Sequence, residues 1–130
     1  MPKEADMARS RASAKAAGSK FERDIADHLA KLVDDRIDRR PKMGAHDRGD
    51  IGGVRVHGQR LVLECKNTSR INLGTWITEA HTEAGNDDAL AGVIVHKRHG
   101  KGKPGDQWVT MTVDDLIAIM TGEPQDGRYE

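Results

Sequence analysis

The stretch GDIGGVRVHGQRLVLECK, residues 49–66, decides the fold. Its apolar run Leu61-Val62-Leu63 closes on Glu64-Cys65-Lys66, and Asp50 opens it just after Gly49. Side chains alternate faces along a strand, so Glu64 and Lys66 point one way, Cys65 points the other, and only the Cys65 backbone carbonyl stays with them. Strands are expected at 50–56 and 60–67, joined by the hairpin-type connection His57-Gly58-Gln59. Their antiparallel pairing carries Asp50 toward Glu64 and Lys66. The two acids are unequally far from the turn, Asp50 nine residues before Gln59 and Glu64 five after it. A bulge must absorb that offset, and Gly52-Gly53 is the place for it.

Two carboxylates and a carbonyl oxygen are hard donors of the kind Mg²⁺ accepts while keeping several waters. An amine beside them, Lys66, is suited to orient a metal-bound water and to stabilise charge growing on phosphoryl oxygens. The residues therefore point to metal-dependent phosphodiester cleavage. A solvated strand edge also alternates charged with apolar residues, so the tripeptide alone is a weak signal. It strengthens because it ends a strongly apolar run and is preceded by an acid opening a neighbouring strand.

These residues resemble the PD-(D/E)XK nuclease superfamily, whose signature is an acid at the start of one strand and Glu-x-Lys on the next. Within it the chain looks most similar to the small Holliday junction resolvases of archaea and phages. Those begin on a helix of the type Gly-x-x-x-Glu-x-x-(apolar), matched by Gly18-Ser19-Lys20-Phe21-Glu22-Arg23-Asp24-Ile25, and the resemblance covers roughly residues 18–98. It implies an α/β fold, a mixed central β-sheet flanked by helices of the restriction-endonuclease-like PD-(D/E)XK kind. It also implies a site of Glu22, Asp50, Glu64 and Lys66. Asp50, Glu64, the Cys65 carbonyl and Glu22 would hold Mg²⁺, with Mn²⁺ as substitute, and the products would be a 5′-phosphate and a 3′-hydroxyl. Family members often carry a Gln on the helix after Glu-x-Lys, where this chain offers Glu79 and His81.

Around the motif, a first helix is expected from Ser19 to about Asp35, with Phe21, Ile25, Leu29, Leu32 and Val33 on one stripe. Ser19 and Glu22 are also spaced as a capping box, which leaves Glu22 an ordinary structural role beside the functional one. Further strands are expected at 36–40, 91–96 and 107–111. The run 91–96 is apolar enough to be buried on both faces. Helices are expected from Leu73 to about Ala84, with Leu73, Trp76, Ile77 and Ala80 on one face, and from Thr112, using Val113, Leu116, Ile117 and Met120. Residues 1–17, rich in Ala, Ser, Lys and Arg, read as a flexible basic arm, 18–121 as the nuclease domain and 122–130 as a polar tail.

At 130 residues the chain is one domain. A single Cys excludes an internal disulfide. With no long apolar span, the expectation is a protein without a membrane partner in the cytoplasm, the host's if phage-encoded. Formal net charge is zero, but the basic residues are segregated. Arg39, Arg40, Lys42 and Arg48 flank the motif, and Lys97, Arg98, Lys101 and Lys103 form another cluster. His46 and Arg48 in the loop before Asp50, with Arg40, Lys42, Lys97, Lys101 and Lys103, are the candidates for contact with DNA phosphates. A solvated hairpin tip explains the 97–103 lysines as well.

The expected partner is branched DNA, a four-way junction, and paired incisions in it call for a homodimer. The alternatives are a nuclease of the same fold acting on a flap, mismatch or specific duplex, and a DNA-binding module without catalysis. The histidines lack zinc-ligand spacing apart from His96 and His99, and Cys65 reads as a packed core residue rather than a nucleophile.

Overall fold

The most apolar segment lies inside the sheet, as its composition requires. In a computed structural model that describes residues 3–125, Ala91–His96 (β5) is buried along its whole length. It runs parallel to Gln59–Lys66 (β4), with Leu61 opposite Ala91 and Lys66 opposite His96. The remaining strands are Asp38–Arg39 (β1), Ile51–Gly52 (β2), Arg55–Val56 (β3) and Trp108–Thr110 (β6). The order is β1-β2-β4-β5-β6, with β3 on β4, and every pairing except β4–β5 is antiparallel. Helices Lys3–Leu32 (α1), Leu73–Asn86 (α2) and Val113–Thr121 (α3) cover this mixed sheet, giving the α/β architecture expected. Among the described residues no helix is long and apolar enough to cross a membrane.

The segment expected as one strand from 50 to 56 is two, split by the bulge. Ile51 pairs with Leu63 and Arg55 with Arg60, so four steps on one side answer three on the other. Gly53 takes up the extra residue at φ 83°, where an added Cβ would lie 2.9 Å from the Arg36 carbonyl oxygen. His57 and Gly58, both at positive φ, close the hairpin as a two-residue turn whose twist suits the strands.

β4 sorts its side chains by alternation. Leu63 and Cys65 pack into the main core with Phe21, Ile25 and Ala26 of α1, while Val62 packs with Ala84 and Ala89 on the α2 side. α2 lies very close to β5 because position 92 has no side chain. A Cβ there would meet the Ala80 carbonyl oxygen at 2.5 Å. Gly92→Ala is expected to lower stability by about 1–3 kcal/mol, read as a fall in the urea midpoint at unchanged m-value. An unchanged midpoint would show that the helix moves away freely.

Three expectations need correction. α1 starts at Lys3 rather than Ser19, so from Lys3 onward the basic arm is helix, and Ser19 with Glu22 caps nothing. Ala8, Ala12, Ala14, Ala16 and Ala17 favour helix strongly, and Gly18 costs only about 1 kcal/mol. The helix ends at Leu32, and Leu32 and Val33 are exposed, at 65% and 63%, because the chain leaves the sheet there. On α3 the apolar stripe Val113, Leu116, Ile117 and Met120 faces solvent, while Asp115 and Ala118 are buried. Asp115 is drawn in by two residues: it closes a capping box with Thr112, and its Oδ2 lies 2.7 Å from His81 Nε2. Of the expected tail, residues 126–130 lie outside the described residues.

Candidate active site

Asp50, Glu64 and Lys66 come together at the end of β4, through the hairpin and its bulge. Asp50 is 2% exposed, and its Oδ2 accepts the Cys65 backbone N–H at 2.7 Å. Its own N–H donates to the Leu63 carbonyl at 2.9 Å. The carboxylate is thus fixed by backbone on both sides, and its Oδ1 meets the Lys42 ammonium.

Glu64, 6% exposed, turns to the α2 side. Burial pushes its pKa far above the ordinary carboxylate range, and Glu83 and Asp50 beside it push it further. Glu83, half-buried on α2, is raised chiefly by burial as well. Glu64 Oε2 and Glu83 Oε2 are buried without a hydrogen-bond partner. Such orphaned oxygens are costly unless a proton or a cation satisfies them.

Lys66 Nζ lies 2.7 Å from Glu79 Oε2 and 4.0 Å from Glu64 Oε1. Burial lowers its pKa, but Glu79 and Glu64 outweigh burial and keep it charged. Of the two α2 residues singled out in sequence, Glu79 therefore meets the lysine. His81 does not: it points to Asp115 on α3.

Glu22 reaches the site from α1. Arg39 Nη2 holds its Oε2 at 2.9 Å, and Lys42 Nζ lies 3.4 Å from Oε1. Lys42 thereby joins Glu22 to Asp50, and although burial lowers its pKa, Asp50 and Glu22 hold it above the ordinary lysine value. Cys65 lies in the core, where burial raises its thiol pKa, as suits a packed residue rather than a nucleophile.

The candidate DNA contacts divide. Arg40 and Arg48 are drawn to the buried Asp87, at 3.2 and 4.0 Å, and Arg40 also donates to the Arg48 carbonyl. Arg40 is therefore committed to holding the loop, whereas Arg48 is half-exposed. His46 is exposed on a single 3-10 turn, Gly44–His46, which Asn86 of α2 anchors by donating to the Ala45 and Asp47 carbonyls. Lys97 follows β5 directly, its N–H on the Lys66 carbonyl at 3.0 Å. Lys101 and Lys103 are exposed on the next loop, which the Gln107 amide ties down through both their carbonyls. These three lysines thus lie beyond the same strand ends as Lys66.

A cleft of about 210 Å³ opens beside the acids, between the 44–47 loop and α2, lined by Asp47, Glu79, Glu83 and Asn86 among others. The larger cavity, about 310 Å³, is apolar and lies under α1 and Met111, away from this chemistry.

Among the described residues no three His, Cys, Asp or Glu side chains stand as a ready metal cage. Lys42 occupies the space between Glu22 and Asp50. The donor set nevertheless fits a hard divalent cation, with only oxygen donors and buried oxygens left without partners.

Glu83 is the residue that sequence reasoning missed. Its signal is the i, i+4 spacing from Glu79, which puts both acids on the α2 face that borders β4.

An acid at the start of one strand and Glu-x-Lys at the end of its neighbour, on a mixed sheet with helices around it, define the PD-(D/E)XK class of nucleases. A family model described as "Phage putative PDDEXK endonuclease" matches residues 13–125, and the chain belongs to that family. No curated protein and no solved structure matches it.

Proposed function

We propose that this endonuclease cuts DNA at four-way junctions, as a homodimer and with Mg²⁺, for which Mn²⁺ can substitute. The observation that carries the nuclease reading is the pair of buried acids beside a charged lysine, Asp50 and Glu64 with Lys66, with an acid oxygen left unsatisfied. The residues that would hold the metal are Asp50, Glu64 and the Cys65 carbonyl, with Glu22 in direct or water-mediated contact. When bound, the ion supplies Lewis acidity and lowers the pKa of a water.

The chain's own residues do the rest. Lys66 orients the attacking water for in-line displacement, and its charge is kept by Glu79 and Glu64. Arg48, His46, Lys97, Lys101 and Lys103 take the phosphate backbone and position it. Glu83 shares the Glu64 side of the site and tunes its charge. The chemistry belongs to residues 18–121, and the basic first half of α1 adds charge for the DNA.

The junction preference rests on similarity to small resolvases at Gly18 to Ile25 and on the segregated basic clusters, which suit recognition of backbone shape. The homodimer follows from a two-fold substrate cut in two strands. The test is a labelled four-way junction and the matching linear duplex, each incubated with Mg²⁺ or EDTA. Symmetric nicks in the junction alone, and only with Mg²⁺, are expected. Equal cutting of the duplex would reassign the substrate within the same nuclease class. DNA binding that weakens with salt but yields no metal-dependent product would mean a module without catalysis.

A further inference from the structure

We propose that Lys42 is a built-in counter-cation of the acid site, holding the divalent ion's place until DNA draws it away, so that metal and DNA bind cooperatively. The inference rests on the metal reading of Asp50 and Glu22. Three observations carry it.

The first is position. The ammonium lies against Asp50 Oδ1 and 3.4 Å from Glu22 Oε1, between two of the acids that would bind the ion. The second is access. The Lys42 side chain is 63% exposed, and it stems from the segment between β1 and the 3-10 turn, outside the core. Rotation of one flexible side chain therefore removes the head group without disturbing any packed residue. The third is the pairing of the neighbouring cations. Arg39 is engaged on the other Glu22 oxygen and Lys66 on Glu79, so each keeps an acidic partner when Lys42 leaves.

An ammonium and a divalent ion compete for the same carboxylate oxygens, so metal binding in the absence of DNA must first displace Lys42. A backbone phosphate beside the site offers Lys42 another anion. Its departure frees Asp50 and Glu22, and linkage requires that metal in turn strengthen DNA binding by the same factor. The protein would thus load metal where its substrate is, rather than in free solution.

The experiment measures Mn²⁺ affinity by calorimetry for the wild type, Lys42→Met and Lys42→Arg, with folding checked by circular dichroism. Each is titrated alone and with a phosphorothioate four-way junction, after subtracting the ion that the junction binds by itself. Lys42→Met is expected to bind Mn²⁺ roughly tenfold more tightly than wild type without DNA, the scale of one removed neighbouring charge. Lys42→Arg, which keeps the charge, is expected to stay near wild type. The junction should tighten wild-type binding toward the Lys42→Met value and leave that variant nearly unchanged. Equal affinity of wild type and Lys42→Met overturns the inference while leaving the metal site standing. Absence of Mn²⁺ binding in all three overturns the metal reading itself, and the inference with it.

Discussion

Glu64→Gln is expected to abolish metal-dependent DNA cleavage while making the metal-free protein more stable. The amide keeps the shape of the side chain but loses the charge that a divalent cation needs. Loss of such an electrostatic contact at a reacting centre lowers turnover by roughly a hundred- to thousand-fold or more. The stability gain has a separate cause. Glu64 is buried beside Asp50 and Glu83, and one of its oxygens has no partner. At pH 8 folding must protonate this carboxyl, which is ionised in the unfolded chain, whereas the amide is neutral in both states, and it can donate to the unpartnered Glu83 Oε2. A gain of about 1–2 kcal/mol at pH 8 is expected in EDTA, read as a higher midpoint of thermal unfolding. Cleavage that survives the substitution would remove Glu64 from the chemistry, and a lower midpoint would mean that its carboxyl is structural.

The second large effect is on the pH dependence of stability without metal. Glu64 and Glu83 both have folded-state pKa values raised above those of the unfolded chain. The folded protein therefore binds more protons than the unfolded one above the ordinary carboxylate value of 4.5. By linkage the stability these groups contribute is fully present below that value. It is lost as pH rises through neutrality into the alkaline range. In EDTA, the thermal midpoint is expected to fall steadily from pH 5.5 to pH 9. Glu64→Gln should flatten much of that slope, because the cluster then carries one acid fewer. Saturating Mn²⁺ should also flatten it by replacing the proton as the neutralising charge. A midpoint that is flat or rises across this range in EDTA would show that the acids stay ionised and solvated.

Much of the fold is legible in residues 49–66. Alternation assigns Glu64 and Lys66 to one face and Cys65 to the other, and the unequal distances of Asp50 and Glu64 from the turn demand an extra residue. That residue lies at the glycine pair, with Gly53 in the left-handed region. The apolar run 91–96 is likewise the strand buried along its length. The expectations that fail are those in which local pattern does not say which side is inside. On α3, Val113, Leu116, Ile117 and Met120 form a good helical stripe, yet the face turned inward carries Asp115 and Ala118. An acid that both caps its helix and pairs with His81 is better buried than exposed there. The start of α1 fails for another reason, since an alanine-rich segment needs no apolar stripe to be helical.

What the sequence determined by itself is the local chemistry: which residues alternate on β4, where the hairpin turns, and that an acid pair and a lysine lie on adjacent strands. Only the tertiary structure decided what surrounds them. Glu83 meets Glu64 because α2 packs closely over β5 at Gly92, and Glu22 meets Lys42 because α1 brings its buried face to the other side of the sheet. Arg40 is committed to Asp87, and Lys42 stands in the acid site, although both belong to one basic run. Periodicity is a property of neighbours along the chain, whereas these pairings depend on distances between segments that only packing sets.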